Sequence, residues 1–158
     1  MFKKLSLLSL TLATLTLIVG CGKVNEVSPE LIAYKDDLTN FYNDVSIANA
    51  EIKNISYTDK DSIKELLTQL DKVNDAFNEF AEIPIPEEYL STEELADQAA
   101  ELMNDAILLY HEALEGEEID NVKALQAENK YNQAIECINY IGQILQGKTP
   151  QGENIITN

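Results

Sequence analysis

Residues 31–55 read LIAYKDDLTNFYNDVSIANAEIKNI, and the spacing of the apolar side chains in this stretch decides the fold. The intervals between them alternate between three and four residues: Leu31, Tyr34, Leu38, Phe41, Val45, Ala48, Ile52 and Ile55. This is the periodicity of a helix whose apolar seam packs against other helices. Ser28 and Pro29 supply the start, because Ser is a favoured N-cap and Pro is tolerated at the first helical position. We therefore predict a helix from Pro29 to about Ile55.

Three further segments carry the same periodicity. The second helix is predicted to begin near Asp61 or Ser62 and to end before the two prolines of residues 83–86, which cannot continue it. The third begins where Ser91 and Glu94 fit a capping box, and Gly116 is its predicted C-cap. The fourth runs from about 120 to about 146, where Gly147 and Pro150 are stop signals.

Four long helices joined by short links predict an all-α, up-down four-helix bundle. The bundle domain is expected to span residues 28–147, followed by a polar, flexible tail over residues 148–158. Two stacked helical hairpins, similar to tetratricopeptide pairs, are the alternative arrangement of the same elements. No segment has the alternating pattern of a strand.

The charge balance limits the classes of partner. The chain has 11 lysines, no arginine and 28 acidic residues; without the first 20 residues, nine lysines remain against 28 acids, a formal net charge of −19. Such a surface repels phosphate, so we expect no nucleic-acid partner. It also repels anionic lipid headgroups, so any attachment of the domain to a membrane has to come from another part of the chain.

The first 20 residues, MFKKLSLLSLTLATLTLIVG, have a different character. Lys3 and Lys4 are followed by an uncharged, mainly apolar run, which is the pattern of an export signal. The run ends in Ile18-Val19-Gly20-Cys21, which resembles the lipobox of bacterial lipoproteins. The resemblance implies that the signal is cleaved between Gly20 and Cys21 and that Cys21 carries a diacylglycerol.

The resemblance also implies a domain order and a location. A signal peptide of residues 1–20 precedes a lipidated tether of residues 21–27, and the bundle is held on the extracytoplasmic face of the cell membrane. Two acyl chains suffice for stable attachment. The mature part is similar to small helical lipoproteins of Gram-positive bacteria, and this resemblance implies no particular activity.

No set of residues predicts catalysis, a metal site or a cofactor. A di-metal carboxylate site in a bundle needs Glu-x-x-His pairs, but the residue three before His111, the single histidine, is Leu108. A thiol nucleophile would have to be Cys137 with His111 as its base. We instead expect Cys137 to be a small buried apolar residue and His111 to be a surface residue.

The tyrosines at the margins of the seams, Tyr42 and Tyr140 among them, suit either the edge of a core or a binding groove, and we favour the core. Together these features predict a non-enzymatic envelope lipoprotein that binds a protein partner or has a structural role. A ligand- or ion-binding lipoprotein with a groove between helices is the alternative.

Overall fold

The structure is a computed structural model and describes residues 28–55 and 59–150. The predicted signal peptide, the tether with Cys21, and tail residues 151–158 lie outside the described residues. Within them the chain is all-α, with four long helices: α1 (Pro29–Asn54), α2 (Lys60–Ala81), α3 (Glu93–Leu114) and α4 (Asn121–Leu145). A 3-10 helix, Glu87–Thr92, leads into α3.

Side-chain caps fix the starts of α1 and α2. The Ser28 hydroxyl accepts a hydrogen bond from the Leu31 N–H at 3.2 Å, which confirms the predicted start of α1. In α2 the carboxylate of Asp59 accepts from the Ser62 N–H at 2.8 Å. The predicted start at Asp61 or Ser62 was therefore late, because Asp59 already provides the cap.

The two predicted boundaries of α3 were wrong. Thr92, not Ser91, occupies the N-cap position, and no side chain caps the helix there. The Thr92 hydroxyl instead donates to the Tyr89 carbonyl at 2.8 Å, within the 3-10 helix that precedes α3. At the other end Glu115, not Gly116, is the C-cap, and its N–H donates to the His111 carbonyl.

The boundaries of α4 follow the prediction closely. The Asp120 carboxylate accepts from the N–H groups of Val122 and Lys123 at 3.0 and 3.1 Å. At its end Gly147 has φ 68°, and the next N–H group, of Lys148, donates to the Gln143 carbonyl at 2.9 Å. This is the Schellman arrangement, in which a left-handed glycine closes the helix.

Pairs of side chains show that consecutive helices run antiparallel. Between α2 and α3, Asp71 contacts His111 while Asn78 contacts Asn104. The residue numbers therefore increase along α2 in the direction in which they decrease along α3, so the two helices are antiparallel. The same holds between α1 and α2, where Phe41 contacts Phe77 while Glu51 contacts Lys72. It also holds between α3 and α4, where Glu112 contacts Lys123 while Asp105 contacts Lys130. The arrangement is the predicted up-down bundle.

The helices are not evenly spaced. Alanines line the facing sides of α3 and α4, and Ala99, Ala106, Ala113, Ala127 and Ala134 are completely buried. Small side chains let two helix backbones approach closely. By contrast, no Cα atom of α1 lies within 8 Å of one in α4, so larger side chains close this side of the bundle.

Tyrosine hydroxyl groups link α1 to α4. Tyr131 on α4 donates to the Asn49 carbonyl oxygen at 2.9 Å, and both side chains are buried. Tyr42 on α1 donates to the Ile138 carbonyl at 3.5 Å. These links make the four helices a closed bundle rather than two stacked hairpins.

The core lies along the predicted seams. Val73 and Phe77 of α2 have no exposed surface. The Phe41 ring packs edge-on to Phe77, with centroids 5.1 Å apart, and lies 4.6 Å from the Phe80 ring. Aromatic packing of this kind adds to the free energy gained from burial alone.

Candidate functional site

A groove of about 280 Å³ lies between α1 and α2. Ala48 and Ala76 form its apolar floor, and small side chains leave the space open. Ile47 stands on its rim with 60% of its surface exposed. Charged side chains complete the lining: Asp44 from α1, and Lys72, Asp75 and Glu79 from α2.

The heptad pattern of both helices places these residues together. Ala48 and Ala76 lie at the edges of the apolar faces of α1 and α2. The acidic side chains of the groove lie next to these edges, on the side exposed to solvent. Antiparallel packing brings the residues near 44–48 on α1 opposite those near 72–79 on α2. The groove is thus a part of the edge of the core that is lined by small side chains.

The groove carries an excess of negative charge, with three carboxylates and one ammonium in its lining. The Lys72 ammonium lies 3.8 Å from the Glu51 carboxylate, and both side chains are more than half exposed. An exposed pair at this distance contributes little free energy. Lys72 therefore remains free to move away from an entering cation.

The lining of the groove is suited to binding a cationic group. It contains carboxylates, an ammonium and aliphatic side chains, but no nucleophile beside a base. A long side chain with an apolar stem and a cationic end fits it, because the alanines and Ile47 contact the stem while the carboxylates meet the charge. This site was not predicted from the sequence, because it depends on the register between α1 and α2.

His111 holds α2 and α3 together. Its Nε2 lies 2.8 Å from an oxygen of Asp71 on α2, and its Nδ1 lies 2.8 Å from an oxygen of Glu115. Both carboxylates are acceptors, so both contacts are satisfied only when the ring carries two protons. Burial alone would lower the pKa of His111, but the two carboxylates outweigh burial and raise it above 6.5.

The sequence prediction for His111 was therefore incomplete. The residue lies at the surface, as expected, yet only 30% of its side chain is exposed and both nitrogens are engaged. Glu115, four residues further along the same helix, was visible in the sequence. Asp71 was not, because it is 40 residues away along the chain.

Cys137 is buried, as predicted, and burial raises the pKa of its thiol. The hydrogen-bond partners of His111 are carboxylates, so the structure does not bring the two residues together as a nucleophile and its base. A thiol with a raised pKa holds little thiolate at neutral pH. Cys137 thus packs as a small apolar side chain.

The tyrosines belong mainly to the core, which was the interpretation favoured from the sequence. Tyr34 and Tyr131 are almost completely buried, and Tyr140 is buried as well. Burial raises the pKa of both Tyr42 and Tyr131 to about 12. Their hydroxyl groups therefore stay protonated and serve as hydrogen-bond donors between α1 and α4.

The predicted lipidation site, Cys21, and the cleavage position after Gly20 lie outside the described residues. Within residues 28–55 and 59–150, no three acidic, histidine or cysteine side chains are placed to hold a metal ion. No helix in these ranges is long and apolar enough to span a bilayer.

Comparisons with known proteins identified no relative of this chain. No protein-family model matches the chain, and searches of curated proteins and of solved structures found no similar protein.

Proposed function

We propose that this chain is a lipid-anchored protein of the extracytoplasmic membrane face, that it binds a partner protein of the cell envelope, and that it catalyses no reaction. The lipobox at residues 18–21 supports the anchor. The acid-lined groove between α1 and α2 is the observation that carries the binding role.

The groove is complementary to a lysine or arginine side chain of a partner. Its carboxylates attract the cationic end, and its alanine floor accommodates the methylene stem. A single lysine or arginine side chain of the partner, bound in a groove of this size, accounts for only part of a protein–protein interface. Ile47 on the rim provides apolar contact beside it, as expected of the centre of a protein interface.

The position of the groove sets the distance from the membrane. The tether from Gly22 to Val27 reaches ~20 Å when fully extended. Asp44 lies 15 residues beyond Pro29, which is ~22 Å further along α1. The groove is thus within roughly 45 Å of the bilayer, so its partner is expected to be another envelope protein.

The experiment is capture of the tagged full-length chain from native membranes after mild crosslinking. The groove variant is Asp75→Asn with Glu79→Gln. Its matched control is Asp97→Asn with Glu101→Gln, an exposed acidic pair on α3 with the same spacing. A third sample carries Cys21→Ala and cannot be lipidated.

We expect one envelope protein to be recovered near one-to-one with the wild type and with the α3 control. Its recovery should fall about tenfold with the groove variant, as expected when a charge pair that contributes to binding is lost. Cys21→Ala should abolish it. If recovery is equal from the groove variant and the α3 control, the groove does not bind the partner.

A second candidate function is binding of a polyamine or another organic cation in the same groove. Its volume is just below the range of typical small-molecule sites, and its carboxylates suit a positive ligand. Thermal unfolding with spermidine or cationic envelope fragments tests it. A rise in Tm that disappears in the groove variant would favour this function; no rise with any of them would count against it.

A further inference from the structure

The outer face of α4 differs from the rest of the surface in carrying few charged side chains. The most exposed residues of this helix are Asn121, Val122, Leu125, Gln126, Asn129, Asn132 and Asn139. All are amides or aliphatics. Each of the other three helices that the structure describes exposes several acidic side chains, as Asp36, Asp75 and Asp97 illustrate.

This face also has a regular spacing. Val122, Leu125, Asn129 and Asn132 are separated by three, four and three residues, which is the interval of a coiled-coil seam. The core seam of α4, through Ala127, Ala134 and Ile141, lies on the opposite side of the helix. The helix thus carries two seams, and only one of them is covered within the bundle.

The exposed seam is apolar at its N-terminal end. Val122 and Leu125 are each 68% exposed, the highest values among the large apolar residues that the structure describes. Asn129 and Asn132 follow at the next two seam positions. Asparagine within such a seam pairs with itself and favours a two-stranded, in-register arrangement.

We propose that the exposed seam of α4 is a self-association surface on which a second copy of this chain packs, with the two α4 helices parallel. The parallel orientation rests on the proposed function, because two copies anchored in the same membrane through their N-termini stand in the same direction. The two-fold axis then lies along the helices, and each seam residue meets its own counterpart.

Electrostatics favours a second copy on this face. Two chains of formal net charge −19 repel each other wherever their carboxylates meet. The positions flanking the α4 seam include Gln126 and Gln133. In parallel packing, the one acid there, Glu128, lies opposite the partner's Gln133 and not opposite another acid. From Val122 to Asn132 this face therefore lets two copies approach without opposing like charges, and Glu136, the next position at this spacing, ends the seam.

The length of the seam sets the strength of the association. Four seam residues span less than two heptads, which is too short for a stable two-stranded coil in dilute solution. Anchoring raises the effective concentration of the chains, because both are confined near one surface. We therefore expect a dimer that forms on the membrane and is weak in detergent or free solution.

Thiol crosslinking in membranes tests the proposal. The full-length chain carries Asn129→Cys, at the centre of the seam, and is treated with a thiol oxidant. Leu108→Cys is the matched control, because Leu108 is 60% exposed on the outer face of α3. Cys137 is buried, so the chain without an added cysteine measures the background.

We expect Asn129→Cys to give a disulfide-linked dimer with a yield at least about tenfold above that of Leu108→Cys. Adding Leu125→Glu should lower the yield about tenfold, because it places two carboxylates opposite each other. Adding Leu108→Glu should leave it unchanged. Equal yields at positions 129 and 108, or a yield that Leu125→Glu does not change, would overturn the proposal.

The same membranes separate this inference from the proposed function. If the chain is in the membrane fraction but Asn129→Cys gives no dimer, the self-association surface is refuted and the anchor stands. If the chain is recovered only in the soluble fraction, the proposed anchor is refuted, and with it the parallel arrangement.

Discussion

Replacing Tyr131 with Phe removes the hydroxyl that joins α4 to α1, and we expect it to lower the free energy of unfolding by about 2 kcal/mol. The Tyr131 hydroxyl donates to Asn49 at 2.9 Å, and the two side chains are only 1% and 4% exposed. The Asn49 amide nitrogen already has no partner among the described residues. Without the hydroxyl its carbonyl oxygen is also unpaired and buried.

The magnitude comes from two contributions. The lost hydrogen bond contributes about 1 kcal/mol net, and burying an unpaired acceptor costs about 1–3 kcal/mol, with some relaxation of Asn49 offsetting the sum. Phe fills the same space as Tyr, so no cavity forms. Asn49→Leu combined with Tyr131→Phe removes both polar partners, and the double variant should be more stable than Tyr131→Phe alone.

Urea denaturation followed by circular dichroism measures these differences. Tyr42→Phe is the control, because the Tyr42 hydroxyl is 3.5 Å from its acceptor and the residue is less buried. We expect it to cost less than about 0.5 kcal/mol, with the slope of the urea dependence unchanged in every variant. If Tyr131→Phe costs no more than Tyr42→Phe, the buried link between α1 and α4 does not stabilise the bundle.

Three other predictions concern the core, a helix end and the histidine. Phe77→Ala should lower the free energy of unfolding by about 4 kcal/mol, because the ring is fully buried; a loss as small as that of Leu108→Ala in urea denaturation would contradict it. Gly147→Ala should cost about 1 kcal/mol, because φ is 68° there although no atom lies within 4 Å of the added Cβ; an unchanged urea midpoint would contradict it. His111→Gln should destabilise the protein at about pH 6 but progressively less as the pH rises through the raised pKa of His111. The sign follows because a group with a raised folded-state pKa stabilises the protein in its protonated form. Urea midpoints of the variant and the wild type measured across this range test it, and a difference that grows with pH would contradict it.

The sequence predicted the helices well because each apolar seam is local information. Of the α1 seam, the six residues from Tyr34 to Ile52 are buried, and Leu31 and Ile55 at its ends are half-buried. The cap at Ser28, the start of α4 near residue 120 and the stop at Gly147 were also predicted, since each signal acts within a few residues of itself.

The errors arose where tertiary contacts or competing caps decided the outcome. Ser91 and Glu94 fit a capping box, but the 3-10 helix turns the chain so that Thr92 is buried at the N-cap position. There its hydroxyl lies 3.5 Å from that of Tyr34, a residue of α1 far away in the sequence. Gly116 looked like a C-cap, yet α3 ends at Leu114 without a left-handed residue.

The candidate sites depend on register, which one sequence does not reveal. The groove requires Asp44 and Glu79 to lie on facing sides of two antiparallel helices. The exposed seam of α4 was present in the sequence at Val122 and Leu125, but identifying it required knowing which side of the helix the bundle covers.

The measurement that tests the proposed lipid anchor most directly is the intact mass of the full-length chain after expression and extraction from bacterial membranes. We predict a mature chain that begins at Cys21 and carries the added mass of a diacylglycerol, which the Cys21→Ala variant should lack. An unmodified chain that retains residues 1–20, or one cleaved at another position, would contradict the account.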